Sequence, residues 1–272
     1  MNPGSALQGG DITSDRHETK YLVPMDRVDG LARALREHVP LHRFTGENAN
    51  ALPGAHHYIT TIYFDTPSRR HYRAAASGPR SVKVRAREYY DIHPSLAEVV
   101  TRADEILKYD PWLWFELKRR GGGRSEKRRF RLPKRDVPAF FARASSSVRK
   151  AISSSELEEI QAYLAELDEP LEATCVVNYR RVAWQSPDDA LRVTLDLGLA
   201  CYAPPGDLFT RDLPLERGLL GKPASVLDEA VLEVKARLGE PSWLTEAIHR
   251  AAVAPLEFSK FVAAVQSVHA HA

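Results

Sequence analysis

Ser81-Val-Lys-Val-Arg-Ala-Arg-Glu-Tyr-Tyr90 alternates apolar residues and cations at a period of two. Successive side chains on a β-strand point to opposite faces, so Lys83, Arg85 and Arg87 share one face while Val82, Val84 and Ala86 share the other. The pattern recurs along the chain. Arg16, Glu18 and Lys20 share a face, as do Glu116 and Lys118, and Lys127, Arg129 and Arg131. Arg181 follows Tyr179 at a spacing of two, Arg192 precedes Thr194 and Asp196, and Glu233 precedes Lys235. Their opposite faces are apolar: Leu113, Phe115 and Leu117; Leu191, Val193 and Leu195; Leu232 and Val234. For any single strand, a sheet with one face on the core and one in water produces this alternation with no function at all. Recurrence is the signal, because like charges directly across a ladder destabilise it. A sheet with so many cations on one face needs an anionic partner, and a closed or nearly closed barrel would gather them around one lumen.

Working outward, strands are expected at Arg16 to Val23, His57 to Asp65, Ser81 to Tyr90, Pro111 to Arg119 and Arg124 to Leu132, then at Glu172 to Gln185, Ala190 to Ala200 and Val231 to Leu238. Gly121 to Gly123 and Ser186-Pro-Asp-Asp189 mark hairpins. Val28, Leu31, Leu35 and Val39 recur at helical spacing after Pro24 and Asp26. Further helices are expected at Pro67 to Ala76, Pro133 to Ala142, Ser155 to Leu167 and Phe258 to His269. Strands without regular helical alternation predict an antiparallel α+β fold. Residues 1–14, rich in Gly and small polar side chains, read as a disordered lead, and residues 15–272 as one domain.

A chain of 272 residues can bury its own core, and 43% hydrophobic with 27% charged residues excludes a disordered or membrane class. The 38 Lys and Arg nearly cancel 36 Asp and Glu, so attraction for an anion must come from local placement. Cys175 and Cys201 lack metal-type spacing and are expected as buried free thiols. No run approaches a membrane span and no signal core is present, so a cytoplasmic location is expected. The histidines form no metal-type cluster and are expected at the surface; the tryptophans, Trp112 and Trp114 included, are expected in core or rim packing.

A triphosphate carries several negative charges in a row, which Arg complements with bidentate forks and Lys with point charges. Glutamates among those cations would repel phosphate unless a hard divalent cation sat between them. Glu18, Glu116 and Glu233 therefore imply a metal, with plain salt bridging as the alternative for each.

The segments Arg16-His-Glu-Thr-Lys-Tyr21, Ile62-Tyr-Phe-Asp-Thr66, Lys83-Val-Arg-Ala-Arg87, Phe115-Glu-Leu-Lys118, Ser125-Glu-Lys-Arg-Arg129, Tyr179-Arg-Arg181, Leu191-Arg-Val-Thr-Leu-Asp196, Leu232-Glu-Val-Lys235 and Phe258-Ser-Lys260 stand in the order expected of a VTC polyphosphate polymerase domain. The chain resembles that family, itself similar to other triphosphate tunnel metalloenzymes, from about Arg16 to the C-terminal helix. The resemblance implies an eight-stranded antiparallel tunnel with flanking helices that holds ATP, triphosphate or polyphosphate. It implies Lys20, Arg85, Arg87, Lys118, Lys127, Arg181 and Arg192 as catalytic phosphate ligands, with Arg16, Lys83, Arg129, Lys235, Ser259 and Lys260 as further substrate contacts. Glu233 is implied as the main ligand of Mn²⁺ or Mg²⁺, joined by Glu116 and Glu18. Many tunnel hydrolases open with Glu-x-Glu-x-Lys, whereas Arg16 stands at the first position here, which favours polymerase over hydrolase. The expected activity is polyphosphate synthesis from ATP, with an inorganic triphosphatase or a non-catalytic polyphosphate sensor as alternatives. Nucleic-acid binding ranks last, because aromatic residues are not interleaved with the basic motifs in a stacking pattern.

Overall fold

The computed structural model describes residues 17–42, 56–78, 80–90, 112–121, 124–141, 155–210, 213–251 and 253–270. The expected lead at 1–14, Arg16 and the Gly122-Gly123 turn lie outside the described residues. The strands are β1 (His17–Val23), β2 (His56–Asp65), β3 (Ser81–Tyr90), β4 (Trp112–Gly121), β5 (Arg124–Pro133), β6 (Glu172–Gln185), β7 (Leu191–Tyr202), β8 (Ser225–Val226) and β9 (Ala230–Ala236). Eight of them form one antiparallel path in the order β1-β9-β7-β6-β2-β3-β4-β5, and the two-residue β8 pairs with β7. Strands β1 and β5 are the ends of that path, and among the described residues no ladder joins them. The sheet curls toward a tunnel without closing through backbone hydrogen bonds.

The alternation read in the sequence sets which face each strand buries. On the convex side of β1, β7 and β9, Tyr21, Val23, Leu191, Val193, Leu195, Leu232 and Val234 pack under α1 (Met25–His38), which contributes Val28, Leu31 and Leu35. Asp26 in the first turn of α1 and Arg36 and His38 in the last complement the helix dipole. Helix α2 (Arg70–Ser77) starts where Asp65 accepts the amides of His71 and Tyr72, both at 2.8 Å. The convex side of β3 to β5 packs through Leu113, Phe115, Leu117, Phe130 and Leu132 against α3 (Val137–Phe141) and α4 (Ser155–Ala165). Lys134, in the 3₁₀ turn before α3, is fully buried and ion-paired with Glu88 at 3.1 Å. A short α5 (Arg217–Leu220) and α6 (Ser242–Arg250) follow.

The last helix, α7 (Lys260–His269), fills part of the concave side. Phe261, Ala264 and Val265 pack against Ile59, Tyr63, Val177, Tyr179 and Val231. Fully burying a side chain the size of Phe261 is worth roughly 1.5–3 kcal/mol. Ser259 caps α7, its hydroxyl accepting the Val262 amide at 3.3 Å. The inner face is therefore divided between an apolar part under α7 and a charged part. Cys175 and Cys201 are buried free thiols, as expected. The expectation of surface histidines fails at His71, which is 2% exposed and meets the Tyr163 hydroxyl through Nε2 at 2.6 Å. A polar partner on α4 makes that burial tolerable. Trp184 is fully buried in the core, whereas Trp114 lies beneath the Arg129 guanidinium, 4.6 Å from its carbon.

Candidate functional site

Strand register places the basic rows side by side. Lys83 pairs with Lys118 and Arg85 with Glu116 across β3 and β4; Lys118 pairs with Lys127, and Glu116 with Arg129, across β4 and β5. On the other limb of the curl, Glu18 pairs with Lys235 and Lys20 with Glu233 across β1 and β9, while Arg192 pairs with Lys235 and Thr194 with Glu233 across β7 and β9. The two limbs meet. Glu18 Oε2 lies 3.9 Å from Lys118 Nζ on β4 and 3.8 Å from Lys235 Nζ on β9, and Glu18 Oε1 lies 3.0 Å from Lys20 Nζ. Strands β1 and β4 sit at nearly opposite ends of the path, so only the curvature of the sheet brings these side chains together.

The start of α7 enters the same space. Lys83 Nζ donates to Ser259 Oγ at 2.9 Å, and Lys20 Nζ donates to the Phe258 carbonyl at 3.2 Å. Lys260 Nζ lies 2.7 Å from Asp196 Oδ2 and 5.1 Å from the Tyr179 ring centroid. Asp196, fully buried, also accepts a two-pronged bond from Arg181, Nε at 2.6 Å and Nη2 at 2.8 Å. Glu116, 1% exposed, accepts from Arg85 Nε at 2.6 Å, with Arg87 Nε at 4.0 Å. Of the sixteen residues singled out in the sequence, all but Arg16 are described, and seven strands (all of the path but β2) with the start of α7 carry them on the concave side.

Electrostatics shows which charge is compensated. Burial opposes ionisation of Glu116, but Arg85, Arg87 and Lys127 outweigh it and hold the carboxyl well below the usual range. The same contest at Glu233, with Lys235, Lys260, Arg181 and Lys20 against burial, ends the same way. Lysines fare differently. Burial, reinforced by Lys20, Arg85 and Lys118, pushes Lys83 down to about 7, and burial is also the main cause that brings Lys118 down to about 8. Arg192 is lowered by burial and then by Arg181. Lys83, Lys118 and Arg192 are thus under-compensated by the local carboxylates, and an anion among them would favour the charged forms of the two lysines.

Polar atoms without hydrogen-bond partners lie in the same region. Thr61 Oγ1, Arg87 Nε, Tyr179 OH and Thr194 Oγ1 are buried and unpaired. Thr61 is the cross-strand neighbour of Arg87, and Thr194 that of Glu233. Buried donors left unmade cost about 1–3 kcal/mol each, which a bound oxyanion would recover.

Glu18 and Glu233 lie on neighbouring strands; burial and then Glu233 raise the Glu18 pKa, and Lys118, Lys235 and Lys20 bring it below the ordinary value. Glu116 stands apart, taken up by two guanidiniums. Among the described residues no three of His, Cys, Asp and Glu gather as ligands. The donor set nonetheless fits a hard divalent cation of the Mg²⁺ type, which takes one or two carboxylates and completes its shell with phosphate oxygens and water.

Asp196, Thr61, Thr194 and Tyr179 were not singled out in the sequence as site residues. A signal for Asp196 existed: the turn at Ser186 to Asp189 fixes the register of β6 on β7, and that register sets Arg181 opposite Asp196.

The family model of the VTC domain matches residues 15–269. No curated protein matches the chain. Among solved structures, a putative adenylyl cyclase from Hippeastrum, described as having a dominant triphosphatase activity, superposes with a TM-score of 0.52 at 13% identity, covering 93% of this chain and 96% of that one. A putative adenylate cyclase from Bacillus halodurans gives a TM-score of 0.47 at 12% identity, covering 90% of this chain and 96% of that one. At the identity of the Hippeastrum structure, the likeness is one of fold.

Proposed function

The chain belongs to the VTC domain family, and on that premise we propose that it is a metal-dependent phosphotransferase that lengthens polyphosphate with the terminal phosphate of ATP. One observation carries the reading: Glu18 of β1 lies 3.9 Å from Lys118 of β4, far from it in the sheet, and beside Lys20 and Lys235, while Lys20 and Lys83 reach the start of α7. Phosphoryl transfer asks a protein for little covalent chemistry and much positioning and charge stabilisation. Arg85, Arg87, Lys118 and Lys127 on one limb, with Lys20, Arg181 and Arg192 on the other, hold the phosphates in line and stabilise charge on the transferred group. Lys83, Arg129, Lys235, Ser259 and Lys260 extend that cradle, and Arg16 joins it from the sequence. Glu116 and Asp196 fix the guanidiniums of Arg85 and Arg181, so the cradle needs no reorganisation when charge develops. Bound Mn²⁺ or Mg²⁺, held by Glu233 and Glu18, would supply Lewis-acid polarisation of phosphate oxygens.

The triphosphatase activity named for the Hippeastrum structure favours a second reading, hydrolysis of tripolyphosphate, in which water replaces the phosphate acceptor. Incubating the purified chain with ATP or tripolyphosphate, with and without Mn²⁺, and resolving the products by chain length separates the two. Chain growth from ATP is the expected result. Phosphate release without chain growth would overturn the polymerase assignment, and binding without turnover would leave a sensor. Glu233→Gln is expected to abolish metal-dependent turnover with the fold intact, as judged by an unchanged circular dichroism spectrum.

A further inference from the structure

A cleft of about 540 Å³ lies where α2 and α4 meet the paired ends of β3 and β4. Arg70, Arg80, Arg119 and Arg120 line it, against a single carboxylate, Glu126. That carboxylate already pairs with Arg128 at 2.7 Å. Arg119 lies over the Tyr163 ring, 5.1 Å from its centroid, and the Tyr163 hydroxyl meets His71 Nε2 at 2.6 Å. His71 Nδ1 lies 3.2 Å from Asp65 Oδ1, and Asp65 also accepts the amides of Thr66, His71 and Tyr72. The cleft therefore has a wall held by hydrogen bonds and a rim of guanidiniums. Among the described residues Arg70, Arg80 and Arg120 form no ion pair with a carboxylate.

The place of the cleft matters as much as its charge. Ser81 pairs with Arg120 as Lys83 pairs with Lys118, so Arg120 lies two residues beyond Lys118 on the same face of β4. Two residues of strand span about 7 Å. The cationic row of the concave site thus reaches the cleft through Arg120 at the end of the β3–β4 ladder, while Arg119, on the opposite face of β4, lines it from the other side. Among the described residues, four guanidiniums gather around one carboxylate that Arg128 already engages, so they repel one another, and phosphate oxygens are the acceptors their planar forks match.

Resting on the reading that the concave site handles polyphosphate, we propose that this cleft is a second subsite for linear polyphosphate, holding the part of a long chain that extends past Lys83 and Lys118. Tripolyphosphate is satisfied within the concave site, whereas a longer chain engages both. The cleft adds affinity for long chains and leaves short ones unaffected.

The test compares binding of tripolyphosphate and of a long-chain polyphosphate to the full chain and to Arg80→Ala/Arg120→Ala, by calorimetry over a range of salt concentrations. The variant is expected to bind tripolyphosphate as the parent does, which also reports that it is folded. Long-chain affinity is expected to fall about tenfold, with a salt dependence shallower by about two powers, one for each phosphate that an arginine no longer neutralises. Arg80→Lys/Arg120→Lys, which keeps the charge, is expected to recover most of the affinity. Unchanged long-chain affinity and salt slope in the Ala variant would overturn the proposal. So would loss of single-stranded RNA binding in the variant with long-chain polyphosphate unaffected, which would mark a nucleic-acid site. Failure of the parent to bind tripolyphosphate while still binding long chains through Arg80 and Arg120 would instead sink the reading of the concave site and spare the cleft.

Discussion

Replacing Asp196 with Asn removes one negative charge from a fully buried position that receives three hydrogen bonds, two from Arg181 and one from Lys260. The Arg181 and Lys260 side chains are themselves only 13% and 10% exposed, so water compensates little of the missing charge. Removing one partner of a buried ion pair costs about 3–5 kcal/mol, because the other charge is left uncompensated. Glu233 lies near both cations and offsets part of the loss, which puts the expectation near the lower end, about 3 kcal/mol. For a chain of this size that corresponds to a fall in Tm of roughly 5 °C. Urea denaturation of parent and variant measures the difference directly. Adding tripolyphosphate is expected to narrow the gap, since an anion at Arg181 and Lys260 replaces the missing carboxylate. A destabilisation under about 1 kcal/mol, or equal stabilisation of both proteins by tripolyphosphate, would refute the reasoning that Asp196 compensates the charge of a phosphate cradle.

Other outcomes follow from the same geometry. Because burial brings Lys83 down to about 7, tripolyphosphate affinity is expected to weaken from pH 6 to pH 9 as Lys83 loses its proton, and Lys83→Met is expected to flatten that profile in calorimetric titrations. Stability runs the opposite way: the folded state gives up the Lys83 proton near 7 while the unfolded chain keeps it to 10.5, so the Lys83 contribution improves as pH rises between those values. Lys134→Met breaks the buried pair with Glu88, on the face of β3 opposite the concave row, and is expected to cost about 3 kcal/mol in urea melts without changing KM for ATP.

The strands were legible because their alternation is strong: Ser81–Tyr90 and Glu172–Gln185 fall where the sequence reading set them, and the other strand ends move by only a residue or two. The basic rows were legible for the same reason. The apolar part of the concave side was not. Strand β2, with Ile59, Ile62, Tyr63 and Phe64 all buried, is apolar on both faces, so periodicity could not say that one of them rests on α7. Helix α6 was missed although Leu244, Ala247 and Ile248 carry helical spacing, because Gly239 and Pro241 just before it read as loop. The partners of the glutamates were also hidden. Sequence spacing puts Glu116 and Glu233 on basic faces alike, and only three-dimensional placement separates a carboxylate held by Arg85 from one beside Glu18.

A structure determined with tripolyphosphate and Mn²⁺ bound bears most directly on whether the two limbs of the sheet form one phosphate site. Phosphate oxygens are expected within hydrogen-bond reach of both Lys118 on β4 and Lys20 on β1, with the metal on Glu233. Tripolyphosphate bound by one limb alone, or only outside the concave face, would contradict it.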